Sequence, residues 1–335
     1  MKQRAPQNRT LTCSDQELNL YQQSLLSLDS PISLNHLLGN IINQDFFNAA
    51  PYLPPAFVDL LIMDPPYNLS KNYHGHVFKE KQKKAYQEWF LSIINLMKPL
   101  LKPTASLYIC SDWKTSILIA PILEDHFYIR NRITWEREKG RGAQTNWKNN
   151  TEDIWFCTLS DRYTFNVESV KQKRKVIAPY RHANGEPKDW HEAHDGNFRL
   201  THPSNIWTDL SIPFWSMPEN TDHSTQKPEK LMAKLILASS NPGEIVFDPF
   251  LGSGTTAVVA KKLNRNFAGI EVNTEYCCWA LKRLQQSEQD PTIQGYADGV
   301  FWERNTLPEQ SKVNSMKPSI NLGTTDENDR PELQS

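Results

Sequence analysis

The sequence predicts a doubly wound α/β fold, and three observations carry that prediction. First, Val58 to Met63 is a near-continuous apolar run that stops at Asp64-Pro65-Pro66-Tyr67. Such a run suits a parallel strand covered on both faces. Second, Ile245-Val246-Phe247 stops at Asp248-Pro249-Phe250-Leu251-Gly252-Ser253-Gly254-Thr255-Thr256, a turn rich in Gly and Pro that opens a helix. Third, segments with helical spacing alternate with strand-like runs between and after these two, the order expected of a parallel sheet with helices on its faces. In open sheets of this kind ligands bind at the carboxyl ends of strands. Two strand ends of this type side by side would make one site.

The elements follow in order. Residues 1–15 are polar and read as loose, and residues 17–28 have helix spacing through Leu18, Leu25 and Leu28. Residues 33–47 are short and mixed. Residues 71–84, polar and Lys-rich, read as a mobile loop. Tyr86 to Leu101 is an amphipathic helix with Trp89, Phe90, Ile93, Ile94 and Met97 on its apolar side, ended by Pro103. Ser106 to Cys110 is a strand, and 117–127 a helix broken near Pro121. Residues 129–135 and 154–158 are two further strands. Residues 160–222 change character, rich in Lys, Arg, His, Pro and Trp with weak periodicity. Pro228 to Ser239 is a helix with Leu231, Leu235 and Ile236 inward. Strand 244–248, a helix after Gly254, strand 267–272 and a helix from Thr274 to Gln286 complete the pattern. From Asn305 onward the chain is polar and without aromatics, a disordered tail.

Composition narrows the function classes. A formal net charge of −1 announces no polyanion partner for the molecule as a whole, so any basic surface is local. The five cysteines have no C-x-x-C spacing, which supports neither a disulfide framework nor a zinc site and fits a reducing cytosol. His191-Glu192-Ala193-His194 lacks the i, i+4 histidines of a zinc helix, so no metal is assigned. No run approaches the ~20 apolar residues of a membrane span, and Met1 to Thr12 lacks the apolar stretch of a signal peptide.

The two motifs carry chemistry. Gly252 and Gly254 let backbone approach a ligand closely, and their amides, with the following helix N-terminus, suit a carboxylate. Phe267 to Glu271 reads as a strand ending in an acid, a position that accepts ribose hydroxyls in dinucleotide folds. Asp64 offers a carboxylate and Pro65 a carbonyl as acceptors, Pro66 fixes the turn, and Tyr67 supplies a stacking face.

With DPPY first and DPFxGSGTT last, the pair resembles the beta class of DNA amino-methyltransferases, of the restriction-modification type. The resemblance covers roughly residues 40–165 and 222–285. It implies a mostly parallel seven-stranded, Rossmann-like sheet with one antiparallel hairpin, placed here at 129–135 and 154–158. It implies S-adenosyl-L-methionine as cofactor. The cofactor residues it implies are Asp45, Thr225, Lys227, Asp248, Pro249, Phe250, Gly252, Ser253, Gly254, Thr255 and Glu271. Among these, Asp45 meets the cofactor's adenine amine, Lys227 neutralises its carboxylate and Glu271 takes its ribose. Two positions depart from the family pattern: Gln44 stands for the usual Gly before Asp45, and Ser224 for the usual Pro in His223-Ser224-Thr225-Gln226-Lys227-Pro228.

The resemblance further implies that Asp64, Pro65, Pro66 and Tyr67 act on the exocyclic amine of a base flipped out of double-stranded DNA. Asp at the first position favours N6 of adenine. N4 of cytosine is the alternative, followed by an RNA base or a catalytically silent DNA-binding cofactor sensor. Asn68 and Trp135 match family positions near the flipped base, Trp135 being equally at home in a core. Arg137, Lys139 and Arg141 on a hairpin tip, and Lys173, Arg174 and Lys175 in a recognition segment, are candidate DNA contacts.

The expected organisation is an N-terminal extension (1–30), a catalytic half (31–160), an inserted target-recognition region (161–222), a cofactor half (223–304) and a tail (305–335). The expected enzyme is cytoplasmic, nucleoid-associated and without membrane contact. It acts as monomer or homodimer, alongside a cognate restriction endonuclease.

Overall fold

Parallel pairing of the two motif strands organises the molecule. The computed structural model describes residues 5–73, 76–137, 145–176, 180–193 and 196–303. Lys139, Arg141 and the tail therefore lie outside the described residues. In chain order the strands are β1 (Ile41–Ile42), β2 (Val58–Met63), β3 (Lys71–Tyr73), β4 (His76–Phe78), β5 (Leu101–Ser111), β6 (Tyr128–Glu136), β7 (Thr151–Thr158), β8 (Gln172–Lys175), β9 (His191–Ala193), β10 (Gly196–Thr201), β11 (Ile206–Trp207), β12 (Ile245–Asp248), β13 (Asn266–Ile270), β14 (Tyr296–Ala297) and β15 (Val300–Trp302). The helices are α1 (Asp15–Gln22), α2 (Leu34–Leu37), α3 (Phe46–Ala49), α4 (Lys83–Met97), α5 (Trp113–His126), α6 (Glu229–Ser239), α7 (Thr255–Lys262) and α8 (Thr274–Gln289).

The main sheet runs β1-β13-β12-β2-β5-β7-β6-β11. It has eight strands rather than seven, and both edge strands, β1 and β11, are only two residues long. β7 alone runs against its neighbours β5 and β6; the other pairs are parallel. The predicted hairpin is thus β6–β7. β2 and β12 are direct neighbours, Leu60 opposite Val246 and Leu61 opposite Phe247. Their ends, carrying Asp64 and Asp248, therefore open at the same edge.

Side-chain alternation along β2 divides the core. Leu60 and Ile62 pack with α6 and α7, while Leu61 and Met63 pack with α4 and α5. α4 buries Tyr86, Phe90, Ile93, Ile94 and Met97, the apolar side seen in the sequence. It ends at Met97, before Pro103, which lies inside β5. The β2–β5 register shifts between the Val58–Leu101 and Leu60–Ser106 pairs, so Pro103 falls where no ladder N–H is required. α5 runs unbroken through Pro121, with Asp112 capping its start by accepting from the Thr115 N–H at 2.9 Å. Within the stretch read as a loop, Lys71–Tyr73 and His76–Phe78 pair antiparallel as β3 and β4.

α6 is buried on every side, not only along Leu231, Leu235 and Ile236. The reason is a second sheet, β14-β15-β8-β10-β9, which covers the face left to solvent in a simple amphipathic reading. Lys230 and Lys234, one turn apart, both meet the Asp209 carboxylate, at 2.8 and 2.6 Å, and Lys230 also donates to the Trp302 carbonyl. This sheet joins residues 172–201 to residues 296–302. The 161–222 segment therefore shares a sheet with the end of the segment assigned to the cofactor half. The segment from residue 5, read as loose, is tied down: the Arg9 and Leu11 N–H groups donate to the Trp215 and Asn220 carbonyls, and Leu11 packs on Tyr276 and Trp279.

Candidate active site

A cavity of about 450 Å³ opens at the carboxyl edge of the main sheet, within the ~300–1,000 Å³ usual for ligand sites. One end is walled by Asp45, Phe250, Gly252, Ser253 and Glu271, the other by Asp64, Tyr67, Arg137 and Glu152. Pro65, Pro66, Thr225, Lys227, Asp248, Pro249 and Thr255 also line it. One cavity thus joins all four residues of the first motif to every expected cofactor residue except Gly254.

The turn after β12 is built by its own acid. Asp248 accepts the Phe250 N–H at 3.0 Å and the Thr256 hydroxyl at 2.6 Å, closing the loop onto the first turn of α7. Burial pushes its carboxyl up to about 7, against these two hydrogen bonds, which act the other way. Between its ordinary value of 3.8 and about 7 the folded chain then holds a proton that the unfolded chain has lost. This group's stabilising contribution is full below that window and is lost as pH rises through it. In urea titrations, Asp248→Asn is expected to flatten the fall in stability between roughly pH 4 and 7. The flattening should amount to a few kcal/mol, since each tenfold change in proton affinity corresponds to about 1.4 kcal/mol.

Gly254 is absent from the cavity wall because it faces the other way. It sits at φ 84°, and a Cβ there would lie 2.4 Å from the Ala280 Cβ and 2.8 Å from its Cα, on α8. Its role is close packing of the loop against α8. Gly254→Ala is expected to cost about 2–4 kcal/mol, from overpacking plus the left-handed backbone, read as a drop in urea midpoint.

Glu271 follows β13 and accepts the Gly252 N–H and the Asn273 N–H, each at 2.8 Å. Burial raises its carboxyl above the ordinary value, opposed by those amides and that of Val272. Asp45 caps α3 by accepting the Phe47 N–H at 2.8 Å, and beside it the Phe46 and Phe250 rings sit 5.9 Å apart. Ser253 Oγ is buried with no hydrogen-bond partner among the described residues. An unpartnered hydroxyl, two aromatic rings and a buried acid in one cavity fit a nucleoside carrying an amino-acid tail.

At the other end the first motif is held rigidly. The Tyr86 hydroxyl donates to the Pro66 carbonyl at 2.9 Å, and the Tyr67 hydroxyl to Asp64 Oδ1 at 2.8 Å. Lys227 does not wait for a ligand carboxylate at the cofactor end. Its ammonium lies 2.6 Å from Asp64 Oδ2 and 3.2 Å from Glu152 Oε2. Burial alone would lower its pKa, but the two carboxylates outweigh this and raise it above the ordinary lysine value. Glu152, in turn, pairs with Arg137 at 2.5 Å and lies 3.2 Å from the Tyr67 hydroxyl.

Sequence reasoning missed Glu152. It stood at the end of a charged stretch, and the one available signal was an acid directly before an apolar strand. β7 is antiparallel, so its first residues lie at the edge where the parallel strands end.

Five described DNA-side candidates, Asn68, Trp135, Lys173, Arg174 and Lys175, do not line the cavity. Trp135 is core, 1 % exposed and paired with Trp207 across β6 and β11. Asn68 is also buried, with its amide bonded to the Lys81 N–H and carbonyl, so it anchors the loop rather than meeting a base. Lys173 lies over the Phe198 and Trp302 rings, at 4.3 and 4.2 Å, inside the second sheet. Arg174 and Lys175 continue that strand, Lys175 exposed. Arg137 alone of the described group lines the cavity.

Comparison with known proteins agrees with this geometry. The family described as DNA methylase, of the N6/N4 kind, matches residues 58–282. The chain is 34 % identical over 281 residues to the DNA adenine methyltransferase YhdJ of Escherichia coli (strain K12), covering 80 % of this chain and 92 % of that one. It is 36 % identical over 247 residues to the type II methyltransferase M.HpaI of Haemophilus parainfluenzae, covering 73 % of each. Among solved structures, the M1.HpyAVI–SAM complex matches with a TM-score of 0.50 and 27 % identity, covering 73 % of this chain and 98 % of that one. The cytosine-N4-specific PvuII DNA methyltransferase matches with a TM-score of 0.55 at 17 % identity, covering 76 % of this chain and 87 % of that one, and so speaks to fold alone. Motif order, the shared edge of β2 and β12 and a match across most of the chain lead to one conclusion: the chain belongs to the N6/N4 DNA methylase family.

Proposed function

We propose that the chain transfers the methyl group of S-adenosyl-L-methionine to the N6 amine of an adenine flipped out of double-stranded DNA. The observation that carries this is the single cavity that places Asp64 and Tyr67 at one end and Gly252, Ser253 and Glu271 at the other. The cofactor residues are Asp45, Phe250, Gly252, Ser253, Thr255 and Glu271. The cofactor supplies a sulfonium-bound methyl, whose transfer moves positive charge from sulfur to the base nitrogen. Asp64 accepts a hydrogen bond from the amine and the Pro65 carbonyl a second, which turns the nitrogen lone pair away from the ring. Acceptors fixed in advance favour the developing cation without reorganising. Asp64 then receives the proton the methylated nitrogen sheds. Tyr67 stacks on the base and, through its hydroxyl, holds Asp64 Oδ1. Stacking offsets the few kcal/mol lost on extrusion.

Adenine is favoured over cytosine by Asp at the head of the tetrad and by the name of the relative that matches over 92 % of its length. Likeness to a type II methyltransferase supports a modification enzyme that shares its site with a restriction endonuclease. On this reading the second sheet recognises the target, with Lys175, Arg181 and Arg199 on its strands and loops. Arg137 and Trp147, which is 95 % exposed, lie on the β6–β7 connection, where DNA would cover them. The enzyme acts in the cytoplasm at the nucleoid, as monomer or homodimer.

The test is incubation with labelled S-adenosylmethionine and unmethylated plasmid, followed by nucleoside mass spectrometry. N6-methyladenine is the expected product. N4-methylcytosine would keep the cavity's role and overturn the base. No labelled nucleoside would overturn the proposal.

A further inference from the structure

Glu152 has a carboxylate in the reacting end of the cavity and no part yet in the reaction. Its side chain is 4 % exposed. It touches three groups: the Lys227 ammonium at 3.2 Å, the Arg137 guanidinium at 2.5 Å and the Tyr67 hydroxyl at 3.2 Å. Lys227 is also 2.6 Å from Asp64. Two carboxylates and two cations therefore alternate as Asp64, Lys227, Glu152, Arg137, with zero net charge. A third cation, Lys71 of β3, lines the same cavity and interacts electrostatically with Lys227, Arg137, Asp64 and Glu152. Two further titratable groups face Lys227: the Tyr67 hydroxyl, which accepts from its ammonium at 3.3 Å, and Cys110 of β5, a thiol held neutral by burial.

Methyl transfer brings a positive charge to the nitrogen beside Asp64. With Glu152 in place that charge arrives beside a chain of two carboxylates and two cations, with Lys71 the one further cation nearby. Without it, Lys227, Arg137 and Lys71 share the single carboxylate of Asp64, and the site is one charge more positive where the new cation forms. Surface ion pairs contribute little, but an uncompensated charge in a buried site is costly. We propose that Glu152 is a positioning residue for methyl transfer: by holding Lys227 and Arg137 it offsets their charge at the base end of the cavity, so that Asp64 and the Pro65 carbonyl can receive the cationic nitrogen. This rests on the methyl-transfer reading above.

The experiment is single-turnover transfer by the full chain, with saturating plasmid and labelled S-adenosylmethionine, from pH 6.5 to 10. Glu152→Gln is expected to slow transfer about 10- to 100-fold while cofactor affinity by calorimetry moves less than about threefold, the signature of an interaction felt in the transition state. The deficit should shrink as pH rises, because Lys227 with one carboxylate fewer sheds its proton earlier. Adding Lys227→Gln should restore at least about threefold of the rate by removing the excess charge.

A Glu152→Gln rate within about twofold of wild type overturns the inference. So does a pH-independent loss of rate and cofactor affinity together, or a double variant slower than Glu152→Gln alone. Should Glu152→Gln fail to fold, the charge-neutral double variant is compared with Lys227→Gln. A rate within about tenfold supports action through the lysine's charge, and a larger further loss overturns it. A wild-type chain that methylates no base sinks the underlying reading instead, which separates the two failures.

Discussion

Asp64→Ala is expected to lower methyl transfer by about a hundred- to a thousandfold, the range for losing one preorganised catalytic group. The substitution removes the acceptor that meets the amine and leaves the Tyr67 hydroxyl and the Lys227 ammonium aimed at an empty position. The cofactor end is built from other elements, β12, β13 and α3, so calorimetric affinity for S-adenosylmethionine should stay within a few-fold. Folding should survive. Lys227 keeps Glu152 at 3.2 Å, so the cost stays below the ~3–5 kcal/mol of a buried charge left without any partner. Near-normal turnover in this variant would remove Asp64 from the mechanism.

Gly252→Val is expected to abolish cofactor binding, with affinity at least about a hundredfold weaker because a ligand cannot share space with a side chain in a close-packed wall. Gly252 sits at φ 56°, where a β-branched residue is strained. A Cβ there would lie 3.1 Å from His223 Nε2. The His223 ring is itself held edge-on against Tyr276, 4.4 Å between centroids, so it has little room to give. The Gly252 N–H donates to Glu271, so a shift at Gly252 also moves the acid proposed to hold the ribose. Unchanged affinity would refute the assignment of this end of the cavity.

Much of the fold was legible because its signals are local. An unbroken apolar run marks a strand covered on both faces, and β2 and β12 lie where such runs stand. Proline and glycine in fixed order mark the turns that end them. Helices with one apolar side, such as α4, declared themselves by spacing. Misjudged elements share a different cause. Pro103 is tolerated inside β5 because the register slips there, and α6 carries two lysines into the interior because Asp209 meets them. The 5–14 segment is ordered by hydrogen bonds to residues 215–220. Each depends on a partner far away in the chain, which no window of sequence contains.

The sequence by itself determined the α/β class, the two motif turns and the types of residue that reaction and cofactor require at them. Motif and spacing are properties of consecutive residues, and backbone stereochemistry reads them locally. Tertiary structure alone decided where the charges go. Because β7 runs antiparallel, its first residues return to the edge where β2 ends, which sets Glu152 beside Tyr67, 85 residues earlier in the chain, and beside Lys227, well after it. Lys227, placed by the sequence at the cofactor, lies on Asp64 instead, and Trp135, a candidate at the base, is core. Coulomb energy in a buried site depends on distance and solvent exclusion, and both are fixed only when separate strands meet.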